Sequence, residues 1–141
     1  MRVNWGAVVL AAFVHFGFGA VWFRTFSKPW LAGTRLSAEE IQSYTAHPNF
    51  WPYIIALLCS IGMALVICWV MGGFGKYNIL RGIVAGLMVG IVAALAMITE
   101  MAFEYRSSTF MFISAAYPLI GSILMGIVLG IWKPTVTAAN T

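Results

Sequence analysis

Apolar residues run in four long blocks, and the few polar residues collect between them. A helix that crosses a bilayer needs about 20 mostly apolar residues to span roughly 30 Å of hydrocarbon. The blocks meet this need over 4–23, 52–72, 79–103 and 110–132. His15 interrupts the first. The third carries Arg81 near its start and Glu100 near its end, and the second and fourth have no charge. The pattern predicts an all-α integral membrane protein, with four transmembrane helices in one antiparallel bundle and a single transmembrane domain over 1–141. A disordered tail is expected over 134–141.

Trp and Tyr test these boundaries independently, because they collect where the membrane meets water. One surface takes Trp5, Trp69, Tyr77 and Trp132; the other takes Trp22, Trp30, Trp51, Tyr53 and Tyr105. Each lies close to a predicted span end. The first span is expected to be retained rather than cleaved, since its apolar stretch is long and no small-x-small site precedes a polar start.

The connection over 24–50 is too long for a simple turn. Its first part, Arg24 to Leu31, is aromatic and amphipathic and is expected along the membrane interface. Ser37-Ala38-Glu39-Glu40 has the form of a capping box, with Leu36 and Ile41 placed as a hydrophobic staple. A short helix over about 38–45 follows, read here as part of a lid over the bundle end.

In lipid, helices approach through small residues rather than through a hydrophobic driving force. The third span carries Gly82, Gly86 and Gly90, continued by Ala94. The fourth carries Ser114, Ser122, Gly126 and Gly130, and the first carries Ala7, Ala11, His15 and Gly19. These stripes predict close helix packing, within one chain or between copies. Pro118 removes a helical hydrogen bond from the Ser114 carbonyl, which makes it a bend and a candidate hinge.

Composition agrees. Hydrophobic residues make up 62% and charged residues 9%, against about 25% charged in an average soluble domain. Eight Lys and Arg less four Glu give a net charge of +4. The basic residues stand singly at span ends, which suits lipid head groups and excludes a nucleic-acid face. Arg2, Lys76, Arg81 and Lys133 flank one surface and Arg24, Lys28, Arg35 and Arg106 the other, so the positive-inside rule is tied. The free amino terminus favours cytoplasmic termini. Cys59 and Cys68 fall on opposite faces of one helix and read as packing residues.

Ionisable groups at membrane depth cost about 2.5–3.5 kcal/mol each, so function is sought there. His15 lies mid-span on a small-residue stripe. Its bland reading is a hydrogen-bonded packing residue, and its functional one a proton relay. Glu100 stands 18 residues after Gly82 and so shares its azimuth, with Glu104 one turn on. Both are expected near the helix seam, with an ion pair of Arg24 to either Glu100 or Glu104 and Arg106 close by. The sequence shows no metal-ligand cluster, cofactor motif or catalytic constellation, and neither metal nor cofactor is expected.

Asn4-Trp5, Gly19-x-x-Trp22-Phe23, Phe26-Ser27-Lys28-Pro29-Trp30, Leu36-Ser37-x-Glu39-Glu40, Phe103-Glu104-x-Arg106, Tyr117 and Met125-Gly126-x-x-x-Gly130-x-Trp132 occur in that order. In these the chain resembles a bacterial family of four-helix membrane proteins of unknown function. It departs from the family pattern at Phe23, where Tyr is usual, and at Pro118 after Tyr117. The resemblance implies the fold and a membrane location and brings no assigned activity; the bacterial inner membrane is the expected one. The leading functional expectation is a non-catalytic bundle that self-associates or serves as an accessory subunit of a membrane complex. The alternative is a small proton-coupled transporter or channel subunit using His15, Glu100 and Glu104.

Overall fold

A computed structural model describes residues 3–75 and 77–132. The expected disordered tail lies outside the described residues, as do Arg2, Lys76 and Lys133. Among the described residues six helices follow one another: α1 Trp5–Thr25, α2 Ser27–Gly33, α3 Ala38–Ala46, α4 Trp51–Gly73, α5 Ile79–Phe103 and α6 Ser108–Ile131. α1, α4, α5 and α6 are long and apolar enough to cross a membrane. Their ends fall within two residues of those predicted, because hydrocarbon thickness and interfacial aromatics fix both.

Local chemistry sets the helix starts. Asn4, Ser37, Asn78 and Ser107 are side-chain N-caps, and Pro52 occupies the first turn of α4. Such caps bond amides that the helix itself leaves free. At the end of α5 the chain reverses through Tyr105 at φ 55°, with the Arg106 amide on the Met101 carbonyl and the Tyr105 amide on that of Ala102. This is the paired-bond C-terminal motif usually built on glycine.

α6 is the central helix: half of its spanning window is buried, against a third or less in the other three. It touches α1, α4 and α5, whereas α1 and α5 stand diagonally and share no contact among the described residues. Ala7, Val8, Ala11, Ile67, Met71, Met125 and Leu129 fill the half of the bundle nearer the termini. Aromatic rings fill the other half, where Phe18, Phe23 and His15 surround Tyr117, and Trp30 stacks on Phe110.

The stripes of α5 and α6 face each other within the chain. A Cβ on Gly82 would collide with the Gly126 carbonyl, one on Gly126 with the Gly82 carbonyl, and one on Gly86 with that of Ser122. A Cβ on Gly90 would lie 2.9 Å from the Leu119 Cα, and one on Gly130 2.6 Å from the Asn78 carbonyl oxygen. The seam is therefore backbone against backbone. The α1 stripe turns inward too, with Ala7, Ala11, His15 and Gly19 buried. Pro118 is buried within α6, which continues as a helix on both sides of it.

The expected short helix in the long connection is present as α3, with a second, α2, before it; one expectation is corrected, since α2 rather than α3 packs on the bundle end. A Cβ on Gly33 would meet the Phe110 side chain at 2.6 Å, so α2 sits tightly on α6. Among the described residues α3 touches no other helix and is no lid. Its capping box is complete: Ser37 Oγ accepts from the Glu40 amide at 3.2 Å, and Glu40 accepts from the Ser37 amide at 2.7 Å. The capping box was legible because it is local; the docking was not.

That backbone bond, followed by the Ser37 side chain, holds the Glu40 carboxyl below its ordinary value. A depressed carboxyl pKa contributes helix stability above the unfolded pKa, lost as pH falls through the folded one. The amides of α3 should therefore lose helical chemical shifts below the usual carboxylate range. Glu40→Gln should remove this pH dependence, as NMR of the protein in micelles would report. An α3 that melts identically in both proteins would refute the assignment.

Candidate functional site

The polar centre of the bundle lies where its aliphatic and aromatic halves meet. α1 places His15 on its buried stripe, α4 contributes Ser60 and α6 contributes Tyr117. His15 Nδ1 lies 2.8 Å from Ser60 Oγ and 3.2 Å from the Tyr117 hydroxyl. The Ser60 hydroxyl donates to the Ala56 carbonyl at 2.8 Å. His15 is 4% exposed and Ser60 1%.

Both contacts to the imidazole fall on Nδ1, with the donor in each set by the ring's tautomer. Nε2 is buried and has no hydrogen-bond partner among the described residues. It lies against Gly121: a Cβ there would strike the imidazole Cδ2 and lie 2.8 Å from Nε2. Gly19 makes the matching space on α1, where a Cβ would come within 2.8 Å of the Tyr117 hydroxyl. Two glycines thus let an imidazole and a phenol fit between three helices.

The cluster ties α1, α4 and α6 together. Interhelical hydrogen bonds in membranes contribute on average about 0.6 kcal/mol each. A further tie lies toward the arm: Trp22 Nε1 donates to the Ile113 carbonyl at 3.0 Å. That carbonyl stands beside the one that Pro118 leaves without its helical donor. Ser122 Oγ, in the α5–α6 seam, is the second buried polar atom without a partner among the described residues.

The profile of a family described as protein of unknown function (DUF1761) matches residues 6–130. The chain belongs to this family. No curated protein and no solved structure matches it. The stretch matched to DUF1761 contains the His15 cluster, the glycine seam and the α2–α3 arm, so all of these belong to the family's unit.

The charged end of this DUF1761 chain departs from expectation. Glu104 pairs with Arg106, Nε to carboxylate 2.8 Å, and not with Arg24. Arg106 also donates to the Gly33 carbonyl at 3.1 Å and lies over the Phe110 ring. Arg35 donates to the Glu104 carbonyl. The reversal at Tyr105 folds Arg106 back onto Glu104, whereas Arg24 stands on α1, diagonal to α5. Arg24 is exposed.

Glu100 is exposed as well, and the reason lies in the seam. A stripe at four-residue spacing advances about 40° per step at roughly 100° per residue. From Gly82 through Gly86 and Gly90 to Ala94, the buried line swings by about 120°. By position 100 it has left the azimuth that Glu100 shares with Gly82, and Met101 takes the inward place. Beyond Ala94 an apolar groove opens between Ala94, Ile98, Met111 and Ala115.

Of the predicted site residues, the structure brings together Glu104 with Arg106, and the glycines of α5 with those of α6. It leaves His15 far from both carboxylates in the bundle's order, on a helix that does not touch theirs. Sequence reasoning missed Ser60 and Gly121. Ser60 offered one signal, as the single Ser or Thr in α4.

Proposed function

We propose that the protein is a non-catalytic membrane bundle that works by association, with copies of itself or as an accessory subunit of a membrane complex. The observation that supports this reading best is α3. It is a fully capped helix that packs on none of the other described helices of its own chain. A helix of nine residues is marginal alone in water, and a docked partner supplies the packing that its own bundle does not. The small-residue stripes no longer argue for association, since they are used within the chain.

The membrane is the bacterial cytoplasmic membrane, with both termini inside. The Lys and Arg tie is broken by the acids. The side bearing Arg2, Lys76, Arg81 and Lys133 has none, so it carries +4, while Glu39, Glu40, Glu100 and Glu104 neutralise the four basic residues of the arm side. An anionic cytoplasmic leaflet attracts the first side.

A photo-crosslinker at Tyr44, exposed on α3, tests the reading in native membranes. A discrete protein adduct is the expected result. Lipid adducts and monomer alone would overturn it.

The proton-coupled reading draws on the buried Nε2 of His15, which has no hydrogen-bond partner among the described residues. Its carboxylates stand outward on the diagonal helix, so they offer that nitrogen no relay. Proton flux into protein-containing vesicles, if present and abolished by His15→Ala, would restore this alternative at the expense of the first.

A further inference from the structure

Every acidic residue of the chain, Glu39, Glu40, Glu100 and Glu104, lies on the arm side of the bundle. Their partners there are unequally distributed. Glu104 is held by Arg106, and Glu40 closes the capping box. Arg35 and Arg106 bond backbone carbonyls that fasten the arm to the α5–α6 reversal. Apart from Glu100 at the end of α5, what remains is one exposed acid on α3, Glu39, and two exposed bases at the α1–α2 elbow, Arg24 and Lys28. The bases are four residues apart, Arg24 at the end of α1 and Lys28 at the start of α2. Among the described residues α3 meets neither α1 nor α2 of its own chain.

We infer that α3 of one copy docks on the α1–α2 elbow of a second copy, with Glu39 facing Arg24 and Lys28. The inference rests on the association reading above and names its interface. Both surfaces belong to the connection between α1 and α4, at the same end of the bundle, so two copies side by side in a bilayer present them to each other. A two-fold arrangement makes the contact twice, as isologous interfaces do. Exposed Leu36 just before α3, Tyr44 on α3 and Leu31 on α2 supply apolar area beside the charges.

The bilayer surface is the poorer occupant. Interfacial helices that bind anionic lipid are rich in Lys and Arg. The stretch 36–50 has neither, and carries two Glu.

The experiment uses the full chain, labelled with one fluorophore per copy, in phosphatidylcholine vesicles, with dimer fraction read by single-molecule photobleaching. Glu39→Lys turns two attractions into two repulsions and should weaken dimerisation about tenfold. The double variant Arg24→Glu with Lys28→Glu should do the same. Mixing the two variants should restore both contacts, one native and one with its charges exchanged, and recover mixed dimers over self-pairs, which excludes misfolding as the cause. Raising salt should weaken the wild-type dimer, because exposed charges are screened. A wild-type dimer that no reversal disturbs would sink this interface and leave association standing. A wild-type protein that is monomeric at every density would sink both. Release of α3 from protease protection by Glu39→Lys in a strictly monomeric protein would reassign the helix to lipid.

Discussion

Gly126→Ala should destabilise the bundle by about 3 kcal/mol, and Gly126→Leu should prevent it from folding in detergent. The added Cβ has no flexible side chain to displace: it meets the Gly82 carbonyl, in the backbone of a helix held along its length. Overpacking of this kind costs typically about 1–3 kcal/mol and more where nothing yields. Separating α5 from α6 would also forfeit the neighbouring approaches at Gly86 and Gly130. Gly62 provides the control. It lies in α4 with nothing within 4 Å of a Cβ, so Gly62→Ala should stabilise by up to about 1 kcal/mol through helix propensity alone. Thermal unfolding followed by circular dichroism in one detergent compares the two. Expectations of opposite sign make the pair decisive: if Gly126→Ala proved as stable as Gly62→Ala, the seam would not be what holds these helices.

The contrast between these glycines marks what the sequence could and could not reveal. Spacing alone identified the stripe of Gly82, Gly86 and Gly90, because lipid rewards small residues at four-residue intervals. Spacing could not say which helix the stripe faces. Neither could it give the inclination of the contact line, and Glu100 was misplaced for that reason. Azimuth arithmetic holds for a seam parallel to the helix axis, and a four-residue seam is not parallel to it.

The Arg24 pairing failed for a different physical reason. Span order fixes which ends share a membrane surface, and Arg24 does share one with Glu104. It does not fix which helices are neighbours around the bundle. With α1 diagonal to α5, the local reversal at Tyr105 supplied Glu104 with Arg106 instead. Features written within a few residues of chain were legible: the span ends and the Ser37–Glu40 capping box. Features that need cross-helix register were not, and the His15 cluster is of that kind. Its histidine stood out by type, while Ser60 and Gly121 are ordinary residues until α4 and α6 are placed beside α1.

That cluster yields the second large effect. Gly121→Val should destabilise by about 2–4 kcal/mol, since its side chain would occupy the volume of the imidazole and push His15 off Ser60 and Tyr117. His15→Ala alone should cost less than Gly121→Val: it removes a buried polar group together with its bonds, and Ser60 keeps its bond to Ala56. The double variant decides between a specific fit and general crowding. If Gly121 exists to admit the imidazole, valine added to the His15→Ala protein fills vacated space, and the two effects should fall short of additivity by about 1–3 kcal/mol. Unfolding of all four proteins under the same detergent conditions closes the cycle. Additive losses would mean that Gly121 serves the packing of α6 in general, and that the imidazole lies beside it without depending on it. Strong coupling would establish His15 as the residue around which α1, α4 and α6 are fitted, with its Nε2 turned toward Gly121.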